Sequence, residues 1–256
     1  MLRFHHNRAR AKNRLFPRRG IYLLPNLFTT AALFAGFFSI VQAMNQRYEL
    51  AAQAIFVAMV LDGLDGRVAR LTRTQSAFGA EYDSLSDMVS FGAAPALVVY
   101  EWALKGMDKL GWLAAFVYCV GAALRLARFN TQLEVADKRY FQGLPSPAAA
   151  ALVAGLVWVM VDRGIAVYDI RWFVWAVTIF AGLTMVSTLK YYSGKNINLK
   201  KSVPFVVLFL LVLGFVLISY QPAFVLFGLF VAYALSGFVV TAWFWFHRSR
   251  QADAAP

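Results

Sequence analysis

Five acidic residues, Asp62, Asp65, Glu81, Asp83 and Asp87, fall within 26 positions of an otherwise strongly apolar chain. Asp62 and Asp65 are three apart and Asp83 and Asp87 four apart, so on helices each pair shares one face. Carboxylates that converge in a low-dielectric setting need counter-charge to remain ionised. No His or Cys accompanies them, and an all-oxygen donor set suits Mg²⁺ or Mn²⁺ first and Ca²⁺ next. Two such ions between acid-bearing helices suit phosphate chemistry, in which they neutralise phosphoryl oxygens. If the nucleophile is an alcohol, a base is also required. His5, His6 and His247 lie in terminal segments, so the base must be a carboxylate, and Asp87 at the open end of the cluster is best placed. Arg70 is a fitting phosphate partner. Two readings are open for Arg67: a phosphate ligand, or a side chain that snorkels to the headgroups.

Small residues, Gly63, Gly66, Ala69, Gly79 and Ala80, alternate with the acids. They let helices approach closely and let a bulky ligand reach the backbone. Alternation with carboxylates and Arg70 fits a ligand site better than a packing seam.

The elements that position these groups are membrane helices. Of 256 residues 60% are hydrophobic and only 15% charged, against roughly a quarter charged in soluble domains. Apolar stretches of about twenty residues predict eight spans, over 21–45, 49–72, 83–104, 110–130, 145–161, 171–190, 203–220 and 222–246. The last two meet at Gln221-Pro222 as a helical hairpin. The expected fold is therefore an all-α, polytopic membrane helix bundle. The first stretch is too long for a cleaved signal peptide and reads as a retained helix. Twenty of the 25 basic residues then fall on the side of both termini, leaving Arg47, Lys105, Lys109, Arg163 and Arg171 opposite. By the positive-inside rule the termini are cytoplasmic, and the acidic cluster belongs to the cytoplasmic ends of spans two and three. Asp62 lies on the order of 12 Å along the helix axis from Arg70, below headgroup level in an inward-facing pocket.

The net charge of +12 follows this topology and does not indicate nucleic acid. The single Cys119 excludes an intrachain disulfide and a cysteine metal site. Residues 1–20 read as a basic cytoplasmic segment that touches anionic headgroups, and 248–256 as a disordered tail.

The pattern Asp-x₂-Asp-Gly-x₂-Ala-Arg-x₈-Gly-x₃-Asp-x₃-Asp, carried by Asp62, Asp65, Gly66, Ala69, Arg70, Gly79, Asp83 and Asp87, resembles the signature of the CDP-alcohol phosphotransferases. These membrane enzymes move a phosphoalcohol group from a CDP-linked donor to an acceptor hydroxyl and release CMP. The resemblance implies a two-metal site on Asp62, Asp65, Asp83 and Asp87, with Asp87 as general base. It also implies close access of the cytidine to the small residues, a six-helix core (21–192, with 193–247 as an added two-helix hairpin) and a homodimer. The flanks, including Leu24-Pro25-Asn26-Leu27-Phe28-Thr29, Arg125-Leu126-Ala127-Arg128-Phe129-Asn130 and Phe141-Gln142-Gly143-Leu144-Pro145-Ser146-Pro147, resemble the bacterial integral-membrane phosphatidylserine synthase branch. That implies CDP-diacylglycerol as donor, L-serine as acceptor and the bacterial inner (cytoplasmic) membrane as location.

The donor end is then expected at Asn26, Thr29, Gly66, Ala69, Arg70 and Gly79, with a helix-capping role as the alternative for Asn26. Serine brings a carboxylate that wants a cation. Arg125, Arg128, Lys138 and Arg139 are available on the correct side, though each equally suits a positive-inside marker. The same chemistry with glycerol 3-phosphate, inositol phosphate or choline is the nearest rival. A cation transporter fits less well, since the acids lie toward one face and no repeat is visible.

Overall fold

The computed structural model describes residues 23–72, 74, 76–132, 140–193 and 205–252. The expected segment 1–20, Lys138 and Arg139 lie outside these residues, as do residues 253–256 of the expected 248–256 tail, whereas residues 248–252 continue a helix instead of forming a disordered tail. The chain runs through α1 (Leu23–Met44), α2 (Tyr48–Thr72) and α3 (Ala77–Asp87), a π-helical turn (Met88–Ala93), α4 (Ala94–Val99), and a second π turn (Tyr100–Leu104). After a short 3₁₀ turn follow α5 (Asp108–Gln132), β1 (Tyr140–Gln142), α6 (Ser146–Asp162), α7 (Val167–Val186), β2 (Lys190–Tyr192), α8 (Phe205–Tyr220) and α9 (Pro222–Ala252).

Each expected apolar segment falls on helix, with shifted ends. The third starts at Ala77 rather than residue 83, because Ser76 caps it: its Oγ accepts the Gly79 N–H at 3.0 Å. The sixth ends at Val186, where Ser187 turns extended and the chain enters β2. Among the described residues four helical stretches are long and apolar enough to cross a membrane: Pro25–Met44, Ala77–Thr131, Val167–Val186 and Pro222–Phe244. Ser146–Asp162 and Phe205–Tyr220 are apolar but shorter. α2 crosses the same bundle while carrying Asp62, Asp65, Arg67 and Arg70, which lowers its hydropathy.

Small side chains set the packing. α1 lies along α2, joined by a tight turn in which Gln46 takes φ 61°. α6 is the central helix, packed between α2, α7 and α9, and its run Ala148–Ala151 is buried. α5 crosses α7 where Gly121 meets Gly182, so closely that a Cβ on Gly121 would lie 2.5 Å from the Gly182 carbonyl oxygen. Without a hydrophobic drive between helices in lipid, such van der Waals contact is what holds the crossing.

The two strands were not expected. β1 and β2 pair antiparallel, with Phe141 opposite Tyr191. They tie together two connections that hydropathy alone leaves as loops. The two helices of the expected C-terminal hairpin also differ: α9 packs against α6 and β2, whereas α8 touches chiefly α9 and buries none of its residues.

The Gly121–Gly182 contact makes a direct prediction. Gly121→Ala should lower the melting temperature in detergent, at an overpacking cost of about 1–3 kcal/mol. Gly214→Ala in α8, where an added Cβ meets nothing within 4 Å among the described residues, should leave it unchanged or raise it.

Candidate active site

Three helix segments build the site. α1 contributes Pro25, Asn26 and Thr29; α2 contributes Asp62, Asp65, Gly66, Ala69 and Arg70; α3 contributes Gly79, Ala80, Asp83 and Asp87. Helical spacing turns each Asp pair to one side of its helix, and packing brings the two sides together. One carboxylate oxygen from each of Asp62, Asp83 and Asp87 lies within 4.8 Å of the others. Asp62 faces Asp87 and Asp65 faces Asp83.

Asp65 is buried, and its Oδ2 accepts a hydrogen bond from Thr29 Oγ1 at 2.8 Å. The Thr29 carbonyl in turn accepts from Ser86 Oγ at 3.1 Å. One turn of α1 thus bridges the two acid-bearing helices. Tyr82 and Thr30 join hydroxyls at 2.9 Å beside it. Asp83 Oδ1 is buried without a hydrogen-bond partner among the described residues. A buried anionic oxygen with no donor calls for a cation. Hard carboxylate oxygens clustered at this spacing fit a divalent ion of the Mg²⁺ or Mn²⁺ type.

Beside the acids opens a cavity of about 350 Å³, lined by Pro25, Asn26, Thr29, Asp65, Gly66, Ala69, Arg70, Thr74, Ser76, Gly79, Ala80 and Asp83. All six residues expected at the donor end, Asn26, Thr29, Gly66, Ala69, Arg70 and Gly79, are in this lining. The small residues are what leave the space open. The Arg70 guanidinium folds back over Gly66, where a Cβ would lie 3.5 Å from Nη1. Asn26 Oδ1 faces Gly79 at 3.5 Å from the position of an added Cβ. α1 already runs at Leu23, so Asn26 sits inside the helix and does not cap it.

The four basic residues expected at the acceptor end separate. Arg125 is within electrostatic reach of Asp87, and its Nη1 donates to Ser146 Oγ at 2.7 Å. Its Nε is buried with no partner among the described residues. Arg128 turns instead to the Ser187 carbonyl, at 3.3 Å from Nη1. Lys138 and Arg139 lie outside the described residues. Arg67 and Glu81 are exposed and take no place in the cavity lining.

Sequence reasoning missed Thr74, Ser76 and Ser146. Ser76 was open to discovery, as a serine directly before the Ala77-Phe78 helix start. Ser146 was not, because its role depends on the distant Arg125.

Residues 22–180 match a family model described as CDP-alcohol phosphatidyltransferase. The CDP-diacylglycerol–serine O-phosphatidyltransferase of Helicobacter pylori is 35% identical over 227 residues, covering 86% of this chain and 92% of that protein. The protein of the same description from Mycobacterium tuberculosis is 40% identical over 164 residues, 61% of this chain and 57% of its own length. That from Methanocaldococcus jannaschii is 39% identical over 137 residues, 54% and 61% respectively. The matched region contains every acid of the cluster and the whole cavity lining, and on this evidence the chain belongs to the CDP-alcohol phosphatidyltransferase family.

Proposed function

We propose that this chain transfers the phosphatidyl group of CDP-diacylglycerol to the hydroxyl of L-serine, giving phosphatidylserine and CMP. The observation that carries this reading is the juxtaposition of the acid cluster with a cavity lined by small residues and Arg70. The name that the relatives share, CDP-diacylglycerol–serine O-phosphatidyltransferase, supplies the donor and acceptor.

The roles follow from chemistry. Asn26, Thr29, Gly66, Ala69, Arg70 and Gly79 receive the CDP end of the donor, with Arg70 pairing a phosphate oxygen. The acyl chains remain in lipid. Asp62, Asp65, Asp83 and Asp87 are the residues that would hold divalent ions. Bound there, two such ions would neutralise the pyrophosphate and stabilise departing CMP. Asp87 takes the proton of the serine hydroxyl as that oxygen bonds to the phosphorus bearing diacylglycerol. The bond from that phosphorus to the CMP oxygen breaks, and CMP leaves with the electron pair. Arg125 is the best placed cation for the serine carboxylate, since it neighbours Asp87 and keeps a buried N–H without a partner among the described residues.

Eight crossings with cytoplasmic termini, a six-helix core over 21–192 and an inward-facing site in the bacterial inner membrane complete the proposal. The charge asymmetry of the connections supports the orientation. A homodimer is proposed from the family resemblance.

Purified protein should release CMP from CDP-diacylglycerol only when serine and Mg²⁺ or Mn²⁺ are both present, and chelation should stop it. Asp87→Asn should lower the rate by about 10²–10⁴-fold. Release with glycerol 3-phosphate, inositol phosphate or choline in place of serine would change the acceptor and keep the chemistry. Thr29→Val removes the hydroxyl that bonds Asp65. It should cost about 1.5–3 kcal/mol, the range for a hydrogen bond to a charged group, read as a fall in kcat/KM of roughly tenfold or more.

A further inference from the structure

α9 does more than fill the membrane. A helix that faces only lipid presents apolar side chains all round, as α8 does, burying no residue. α9 instead sends polar contacts to three consecutive residues of β2. Thr241 Oγ1 accepts the Lys190 N–H at 2.9 Å, and the Lys190 ammonium sits 4.4 Å from the Phe244 ring centroid. The fully buried Tyr191 donates its hydroxyl to the Ala234 carbonyl at 3.0 Å. Its ring lies on Gly237, where any Cβ would collide with it. Tyr233 packs its ring 5.5 Å from that of Tyr191 and donates its hydroxyl to the Tyr192 carbonyl at 3.2 Å.

β2 passes this fixation on. It pairs with β1, and directly after β1 the Gly143 N–H donates to the Leu189 carbonyl at 2.8 Å and the Leu144 N–H to the Thr184 carbonyl at 3.0 Å. Gly143 holds φ 76°, a conformation that favours glycine, and a Cβ there would collide with the Met185 carbonyl oxygen. The chain is thereby delivered to Ser146, whose Oγ takes Arg125 Nη1. On the other side of the same segment, the Ser187 carbonyl takes Arg128. Arg125 lies within electrostatic reach of both Asp87 and Tyr233.

An arginine recognises a carboxylate through a planar fork of donors, and that fork must be held in advance for the match to be specific. Here one arm is held by Ser146 while Nε is buried and free of partners among the described residues. We infer that α9 sets the acceptor end of the site, with Tyr233 and Tyr191 as positioning residues that act through β2, β1 and Ser146 on Arg125. This rests on the proposed role of Arg125 toward the acceptor. It gives the C-terminal helix, which lies beyond the matched region 22–180, a part in choosing the acceptor.

The test is steady-state kinetics of the full chain in detergent micelles with CDP-diacylglycerol and serine varied separately. Tyr233→Phe and Tyr191→Phe each remove one hydroxyl and keep the ring. Each should raise the serine KM by about fivefold, as expected for one lost hydrogen bond, while the donor KM moves by less than about twofold. In an Arg125→Lys background, itself raised in serine KM, Tyr233→Phe should add little, because coupled residues are not additive. An unchanged serine KM in both variants, a parallel rise in the donor KM, or full additivity with Arg125→Lys would overturn the inference. Wild-type protein that ignores serine and uses another acceptor would refute the serine reading alone. The same comparison with that acceptor would still decide the role of α9.

Discussion

The constraint on which the rest depends is the mutual repulsion of four carboxylates held together among apolar helices. Two unit charges 4.8 Å apart, the largest separation among the Asp62, Asp83 and Asp87 oxygens, repel by about 3.5 kcal/mol at an effective dielectric constant of about 20. A bundle whose interior is dominated by alanine, valine and leucine offers little to offset that. What it offers is specific: the Thr29 hydroxyl on Asp65, the Arg70 charge near Asp65 and the Arg125 charge near Asp87. Asp83 Oδ1 receives nothing from the described residues. The arrangement makes sense if the remaining counter-charge arrives with the reactants as divalent cation, so that the acids are unfavourable for the bare fold and useful to the chemistry.

Holding the acids in register then falls to the helix that carries two of them. Directly after Asp87 the chain widens into a π turn over Met88–Ala93. Such a turn frees backbone carbonyls and is common at functional sites. The fully buried Tyr118 of α5 donates its hydroxyl to the Phe91 carbonyl at 3.0 Å. Ser90 reaches the Ala32 carbonyl at 3.1 Å, and Gly36 leaves room for its side chain. With Ser86 on the Thr29 carbonyl, α3 and its π turn are held against α1, while Tyr118 holds the turn against α5. The acids on α3 are therefore referenced to the same helix that supplies Thr29 to Asp65.

Much of the site was legible because its information is local. Intervals of three and four between aspartates, glycines at close-approach positions and an arginine one turn beyond Gly66 require only helical geometry to be interpreted. The six residues expected at the donor end, Thr29 among them from the family resemblance alone, all line one cavity. The long-range pieces were hidden. Arg125 and Arg128 share a helix and a spacing, yet one turns to Ser146 near Asp87 and the other to the Ser187 carbonyl. Only the packing of α6 and α7 against α5 separates them. Hydropathy likewise made α8 and α9 look equivalent, whereas Gly237 and Thr241 dock α9 on β2. The three-residue strands were too short to carry a pattern of their own.

The central claim is that the four aspartates form one cation site. The most direct measurement is a titration of the purified protein with Mn²⁺, followed by electron paramagnetic resonance, for the wild-type chain and for Asp62→Asn, Asp65→Asn, Asp83→Asn and Asp87→Asn. The account predicts bound Mn²⁺ in the wild type and weakened binding in every variant, although the residues come from two helices. Bound Mn²⁺ unaffected by the substitutions, or its absence from the wild type even with CDP-diacylglycerol present, would contradict it.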